Sequence, residues 1–273
     1  MTRTVLITGC SSGIGRASAE AFLDEEWTVY ATARDPADIE ALGERDGCRT
    51  ATLDVTDEDD VERVVDRMLD EEGRIDALVN NAGYGKLGPV EDVPTDAARE
   101  QFEVNVYGPH RLIRAVLPAM RRREDGAIVN VSSAAGRVSF PGGGVYCGSK
   151  YALEAMSDAL RNEVREYGIG VSLIEPGPVD TGFDERVEAE IDGLDRSGAY
   201  DDFYELADDY EAVGGGFLAV PPERVAEDVV DAASSTKPPA RYQVGPLATV
   251  AEVGRILPTR LVDAAWAFAS KLP

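Results

Sequence analysis

The 273-residue chain has little of what metal sites and disulfide scaffolds require. It has one histidine, His110, and three cysteines, Cys10, Cys48 and Cys147. The cysteines are odd in number, widely spaced and unpaired in any ligand motif, so neither a disulfide framework nor a zinc site is expected. A reducing cytoplasm is the expected location. No apolar run approaches the roughly 20 residues of a membrane span, and no membrane partner is expected. The stretch Met1–Ile7 is too short for a signal peptide and runs straight into a glycine-rich motif.

Positive charge is also scarce. Lys and Arg total 27 against 51 Asp and Glu, a net charge of −24. Only four residues are lysine: Lys86, Lys150, Lys237 and Lys271. So acidic a surface repels phosphate backbones, which argues against a nucleic-acid partner. The acids are spread through every predicted helix rather than gathered in a tail. This composition resembles that of proteins from salt-in halophilic microbes.

What is present is alternation. Thr4–Thr8, Val29–Ala33, Thr50–Leu53, Ile75–Asn80, Ala127–Val131 and Val171–Ile174 are short apolar runs that read as buried parallel strands. Helical spacing fills the intervals at Arg16–Glu26, Asp57–Glu72, about 96–123 and about 145–167. The pattern predicts an α/β fold: a single-domain, doubly wound parallel sheet, Rossmann-like, with helices on both faces. After Pro176 it loosens. Residues 184–211 hold twelve acids and two arginines, with Tyr200, Phe203, Tyr204 and Tyr210 among them. A stretch of about 182–216 reads as a substrate lid, because ligands bind beyond the carboxyl ends of strands. A solvated acidic helix pair is the other reading. A helix near 222–235, a strand at Tyr242–Val244 and a helical segment at about 246–273 complete the chain.

Four motifs carry chemistry. Thr8-Gly9-Cys10-Ser11-Ser12-Gly13-Ile14-Gly15 follows a strand and opens a helix. Its glycines let the backbone approach a pyrophosphate, and the helix N-terminus offers free N–H groups. At the end of the second strand, Ala33 stands where an NAD enzyme places an acid, and Arg34 follows. A guanidinium suits a ribose 2′-phosphate, so NADP(H) is the preferred cofactor, with NAD(H) left open. Tyr146 and Lys150 are spaced i, i+4 and share a helix face, where the cation favours the phenolate. Ser133, at the end of the fifth strand, can donate to a substrate carbonyl oxygen. It can also simply cap the next turn.

Together these motifs resemble the short-chain dehydrogenase/reductase family through about residue 182. Within it, Gly9–Gly13 and Val29–Asp35 look like the 17β-hydroxysteroid and retinol dehydrogenase group. The resemblance implies catalytic roles for Asn105, Ser133, Tyr146 and Lys150, with Asn105 positioning a relay water. It implies adenine contacts from Asp54 and Val55. Asn80-Asn81-Ala82-Gly83 matches the family's N-N-A-G, so Asn81, Ala82 and Gly83 stand beside the cofactor. Pro176, Gly177, Val179 and Thr181 match the segment that holds the nicotinamide and phosphates. The implied activity is hydride transfer between nicotinamide and a carbonyl or secondary alcohol, with Tyr146 as general acid/base. A homodimer or homotetramer is implied too, paired through the helices at 96–123 and 145–167. Two rivals stand beside this activity: a non-catalytic NADP(H)-binding sensor or scaffold, and an epimerase or dehydratase on the same fold. His110 reads as a packing residue, Cys147 as an inert thiol, and the aromatic C-terminal stretch as a core-packing or subunit-contact helix.

The charge makes a prediction of its own. Self-repulsion is screened by salt, so the thermal midpoint should rise from low to high KCl. A flat or falling midpoint would remove the halophilic reading.

Overall fold

The computed structural model describes residues 2–182, 187, 190–191, 193–208, 218–255 and 257–269. The remainder of the expected lid, including 209–217, lies outside the described residues.

Seven parallel strands form one sheet in the order β3-β2-β1-β4-β5-β6-β7. They are β1 (Thr4–Thr8), β2 (Thr28–Ala33), β3 (Cys48–Thr52), β4 (Ala77–Asn80), β5 (Gly126–Val131), β6 (Ile169–Pro176) and β7 (Arg241–Val244). Successive side chains in a strand point to opposite faces, and both faces here are apolar. Val5, Ile7, Val29, Ala31, Val79 and Val129 face one side, where they meet α1 (Gly13–Asp24) through Ala19, Phe22 and Leu23. Val225, Val229 and Ala232 of a later helix (Pro222–Ser234) complete that layer. Leu6, Tyr30, Leu78 and Ile128 face the other side. There they meet α2 (Glu58–Glu72) through Val61, Val64, Val65 and Met68. The strand order reverses beside β1, between β2 and β4, which opens a crevice at the carboxyl edge.

The expected helix over 96–123 is not continuous. It consists of α3 (Thr95–Phe102), a wide turn at Glu103–Tyr107, and α4 (Gly108–Arg123). In the wide turn the Gly108 N–H donates to the Glu103 carbonyl, five residues back. Such turns insert one extra residue into the spiral and rotate a side chain out of register. The residue placed here is the buried Asn105. The expected helix at 145–167 is α5 (Gly144–Glu163), which gives way to a tighter turn at Arg165–Tyr167 and to Gly168 at φ 67°. The later helices are α6 (Asp201–Asp208), α7 (Pro222–Ser234), α8 (Pro246–Gly254) and α9 (Thr259–Ala269). Pro258 separates the last two, because a ring without an N–H cannot continue a helix.

At the opposite edge from the crevice, Asp76 fastens three strands. Its Oδ2 accepts from the Thr4 N–H at 2.8 Å and from Arg74 Nε at 2.7 Å, and its Oδ1 accepts from Arg123 at 2.8 Å. Its own N–H donates to the Thr4 carbonyl, and its carbonyl accepts from Ala127. Burial pushes the carboxyl up, but these donors outweigh it and hold it below the usual carboxylate range. Asp76→Asn should therefore cost about 3 kcal/mol in urea denaturation at neutral pH, by stranding two arginines. A lowered carboxyl contributes stability above its unfolded pKa and loses it as pH falls through the folded one. The gap between wild type and variant should accordingly close in acid. A gap below about 1 kcal/mol at neutral pH would show that Asp76 is an ordinary surface pair.

Candidate active site

The crevice is an open cleft of about 2800 Å³ along the carboxyl ends of the strands. The loop between β1 and α1 forms its floor at one end. Gly9 and Gly13 have φ of 73° and 54°, a region that favours glycine. A Cβ on Gly15 would stand 2.1 Å from the Gly9 carbonyl oxygen, and one on Gly13 would stand 2.9 Å from Thr181 Cγ2. The loop thus packs on itself and under Thr181 as closely as backbone allows. That cradle fits a pyrophosphate laid against the N-terminus of α1.

Among the expected cofactor residues, Gly9, Ser11, Ser12, Gly13, Ile14, Arg34, Asp54, Val55, Asn81, Ala82, Gly83, Pro176, Gly177, Val179 and Thr181 line the cleft. Thr8 and Gly15 stand behind it. The Thr8 hydroxyl accepts from the Asn81 and Ala82 N–H groups at 3.1 and 3.0 Å, tying β1 to the end of β4. Asn81 Nδ2 donates to the Thr8 and Gly9 carbonyls. Its amide therefore holds the glycine loop in place. The Asp54 carboxylate accepts from the Thr56 N–H and hydroxyl, which fixes the turn after β3. The segment after β6 is pinned by a bridge between Val179 and Val220.

Arg34 is exposed, and among the described residues no ion pair holds it. With Ser11, Asp35, Pro36 and Asp38 it lines a small side pocket of about 490 Å³. Asp35 is occupied in its own turn, accepting from the Ala37 N–H.

The four expected catalytic residues converge on the cleft's centre, in two tiers. Ser133, Tyr146 and Lys150 line it. Ser133 Oγ accepts from the Ala135 N–H at 3.1 Å. It caps the turn at Ala134–Gly136, and as the acceptor in that bond it leaves its hydroxyl proton for another partner. Lys150 is buried. Its Nζ donates to the Val131 carbonyl at 3.0 Å and lies 6.0 Å from the centre of the Tyr146 ring. Burial pulls the amine down to about 8, while the charge of Glu154 raises it. Asn105 is in the second tier, behind the wall. Its Oδ1 accepts from the Tyr84 N–H, and its Nδ2 donates to the Tyr84 carbonyl and to Ser149 Oγ. Ser149 in turn donates to the Tyr146 carbonyl at 2.7 Å.

Sequence reasoning missed Ser149, which joins Asn105 to the helix of Tyr146. Its position, i+3 from Tyr146, was the available signal. It also missed a buried ion cluster beneath Lys150, formed by Arg137, Glu154, Glu175 and Arg241. The visible sign was Glu175, a charge inside the apolar run of β6.

The cleft's outer half is apolar. Leu87, Val187, Ile191 and Tyr204 form a buried cluster, with Tyr146, Phe140, Tyr200 and Phe203 packed against it. A Cβ on Gly142 would strike the Phe203 ring at 2.0 Å. Tyr200 and Tyr204 donate to Glu91 and Asp92, which tie this segment to the loop after β4. The described residues of this segment thus pack Val187, Ile191 and Tyr204 against the cleft, while Asp201 and Asp202 of α6 are exposed. Helix α9 covers the mouth with Val262 and Trp266, rather than packing into the core. His110 corrects another expectation. It is exposed on α4, whose buried face is Leu112, Ile113 and Val116, so it neither packs nor lines the cleft. Cys147 is buried, and burial pushes its thiol up, away from reactivity.

A family model described as short chain dehydrogenase matches residues 3–192. The chain belongs to the short-chain dehydrogenase family. Its curated relatives include the uncharacterized oxidoreductase YbbO of Escherichia coli, 37% identical over 96% of this chain and 93% of that protein. Human 17-beta-hydroxysteroid dehydrogenase type 1 is 39% identical over 89% of this chain and 77% of its own. Among solved structures, a short-chain dehydrogenase from Streptomyces avermitilis superposes with a TM-score of 0.83 at 34% identity, covering 99% of this chain and 98% of that one. Neighbours with bound dinucleotide include ElxO with NADP (TM-score 0.73, 26% identity, 89% and 96% coverage). A Burkholderia phymatum short-chain dehydrogenase binds NAD (TM-score 0.80, 25% identity, 97% and 95% coverage). The short-chain dehydrogenase fold thus makes the chain an oxidoreductase of that family. Among the described residues, no helix is long and apolar enough to cross a membrane.

Proposed function

We propose that the chain is an NADP(H)-dependent oxidoreductase that interconverts an apolar carbonyl compound and its secondary alcohol. The observation that carries this reading is the placement of Lys150. Its ammonium is buried under Tyr146, in a cleft that also holds the glycine cradle and the free hydroxyl proton of Ser133. A cation there stabilises the phenolate left when Tyr146 gives its proton to a carbonyl oxygen. Ser133 donates to the same oxygen as charge develops on it. Asn105 acts through neighbours, holding the Tyr84 backbone and, by way of Ser149, the start of α5. The dinucleotide, when bound, supplies or accepts the hydride.

Arg34 supports NADP(H). It is exposed beside Ser11 in a small pocket, with Ala33 rather than an acid as the last residue of β2, although Asp35 and Asp38 also line that pocket. The aromatic outer cleft supports an apolar substrate. The exposed Tyr107, between α3 and α4, and Tyr151 on α5 support a homodimer or homotetramer paired through those helices.

Tyr146→Phe should lower carbonyl reduction by roughly 10²-fold or more while NADPH binding, followed by its fluorescence, stays intact. Retained turnover would remove Tyr146 as the acid. In the same assay, wild type should bind NADPH more tightly than NADH. Arg34→Ala should weaken NADPH by about tenfold and NADH hardly at all, the loss expected for one charge-assisted phosphate contact. Equal affinities in wild type, unchanged in the variant, would assign the enzyme to NAD.

A further inference from the structure

Beneath Lys150 lies a cluster of charges that the reading above leaves without a task. Glu154 follows Lys150 by one turn of α5. Glu175 stands on β6, just before the Pro176-Gly177 segment of the cleft wall. Both carboxylates are almost fully buried, at 4% and 1% exposure. They converge on one guanidinium nitrogen: Arg241 Nε, from β7, lies 3.2 Å from Glu154 Oε2 and 3.0 Å from Glu175 Oε1. Arg241 Nη2 reaches Glu154 at 3.0 Å and Asp158 at 2.7 Å.

Arg137, from the turn after Ser133, faces the pair from the other side, 3.8 Å from Glu154 and 3.4 Å from Glu175. Its strong contact is elsewhere: it holds Glu252 of α8 with two hydrogen bonds, at 2.8 and 2.9 Å. Gln243 donates to Glu175 Oε2 at 3.0 Å, Tyr151 donates to the Arg137 carbonyl, and Asp158 also pairs with Arg161. Two arginines thus share two buried carboxylates, Glu154 and Glu175, and each also holds a partly exposed one, Asp158 for Arg241 and Glu252 for Arg137. Among the described residues the Oε1 atoms of Glu154 and Glu175 are buried without a hydrogen bond, and that of Glu175 has ion-pair contacts alone, with Arg241 and Arg137. A buried carboxylate oxygen without a hydrogen bond is costly, and one proton relieves that cost.

We propose that Glu154 is a positioning residue for Lys150 and that Glu175 is its proton store. Glu154 supplies the negative charge that keeps the Lys150 amine protonated. Glu175 takes up the proton that two carboxylates on one arginine nitrogen otherwise lack. The electrostatics agree in direction. Burial, then the charge of Glu154, pushes Glu175 up to about 7, against the pull of Gln243, Arg137 and Arg241. Glu154 is the charge that raises Lys150. The role of Lys150 rests on the oxidoreductase reading, but the coupling between these groups does not.

The scarcity of lysine makes a direct test possible. Protein labelled with ¹³C at lysine Cε gives four signals, and Lys150→Met identifies one of them. In wild type the Lys150 signal should titrate near pH 8. In Glu154→Gln it should titrate lower, by roughly half a pH unit or more, because a favourable charge is gone. An unmoved or raised titration overturns the role of Glu154. Glu175 is read from stability. A carboxyl raised in the fold contributes stability at low pH and loses it as pH rises, here between the ordinary 4.5 and about 7. The thermal midpoint of wild type, measured against Glu175→Gln, should fall across that window. A constant difference overturns the proton store.

Turnover adds a third readout. The alkaline limb of carbonyl reduction should move toward acid in Glu154→Gln. A uniform loss at every pH, with the limb in place, would mark Glu154 as packing alone. If wild type reduces no carbonyl, the functional reading fails, and the two titrations still decide the coupling.

Discussion

Lys150 is a buried cation at the wall of the cleft whose ammonium donates to a backbone carbonyl, and the surrounding structure makes that tolerable. Burial alone drives such an amine toward neutrality. Val131, the last residue of β5, offers its carbonyl at 3.0 Å, and Glu154 adds a charge from one turn below. The wide turn at Glu103–Tyr107 presses Asn105 into the wall, and a Cβ on Gly83 would stand 3.0 Å from its Oδ1 and 3.7 Å from Lys150 Nζ. A side chain at Gly83 would crowd Asn105, which would have to shift by a few tenths of an ångström. The result is an amine that burial pulls downward and Glu154 pulls back toward its protonated form.

The parallel sheet is what lets so many remote segments serve one point. Every strand delivers its carboxyl end to the same edge, so the loops after β1, β2, β4, β5 and β6 meet there. The amino-terminal edge carries the fastening instead, through Asp76 and its arginines. Stability and chemistry are divided between the two edges. The ion cluster below Lys150 is the exception, for it binds the turn after Ser133, α5, β6, β7 and α8 into one unit. Through Glu252 it also fixes α8, whose Leu247, Val250 and Ala251 line the cleft. The wall that meets the substrate is thereby tied to the groups that set the charge of Lys150.

The sheet was legible because burial on both faces leaves uninterrupted apolar runs. Gly9, Gly13 and Gly15 were legible because their spacing answers a backbone constraint, and Tyr146 and Lys150 because helix geometry fixes their shared face. Less local features were hidden. Nothing in Glu103–Tyr107 distinguishes a wide turn from a regular one, since the extra residue is a matter of how α4 packs Gly108 against Val55. That the Asn81 side-chain amide also holds the glycine loop was not visible, because its partners lie some seventy residues away in sequence. His110 read as packed because it lies within a helix that buries its neighbours, and only the phase of that helix decides. Arg137, Glu154, Glu175 and Arg241 are distant in sequence, and apart from Glu175, inside the apolar run of β6, each alone looks like surface charge. Their meeting depends on the sheet order that brings β6 against β7.

The acidity of the surface bears on the cleft as well. A field from a net charge of −24 opposes the approach of any phosphate-bearing ligand. The acids are not, however, distributed blindly. Helices α2, α3, α6 and α7 carry Asp or Glu in their first turns, where these complement the positive end of the helix dipole. Helices α1, α4, α5, α8 and α9 carry none. The N-terminus of α1 faces the glycine cradle, and its positive end is left uncancelled. Arg34 stands beside it, exposed and without an ion pair among the described residues. Acid is absent from that helix end, although Asp35 and Asp38 line the pocket beside Arg34 where a 2′-phosphate would lie. The same long-range repulsion that salt screens over the whole surface is here offset locally, by a bare helix end and a single guanidinium.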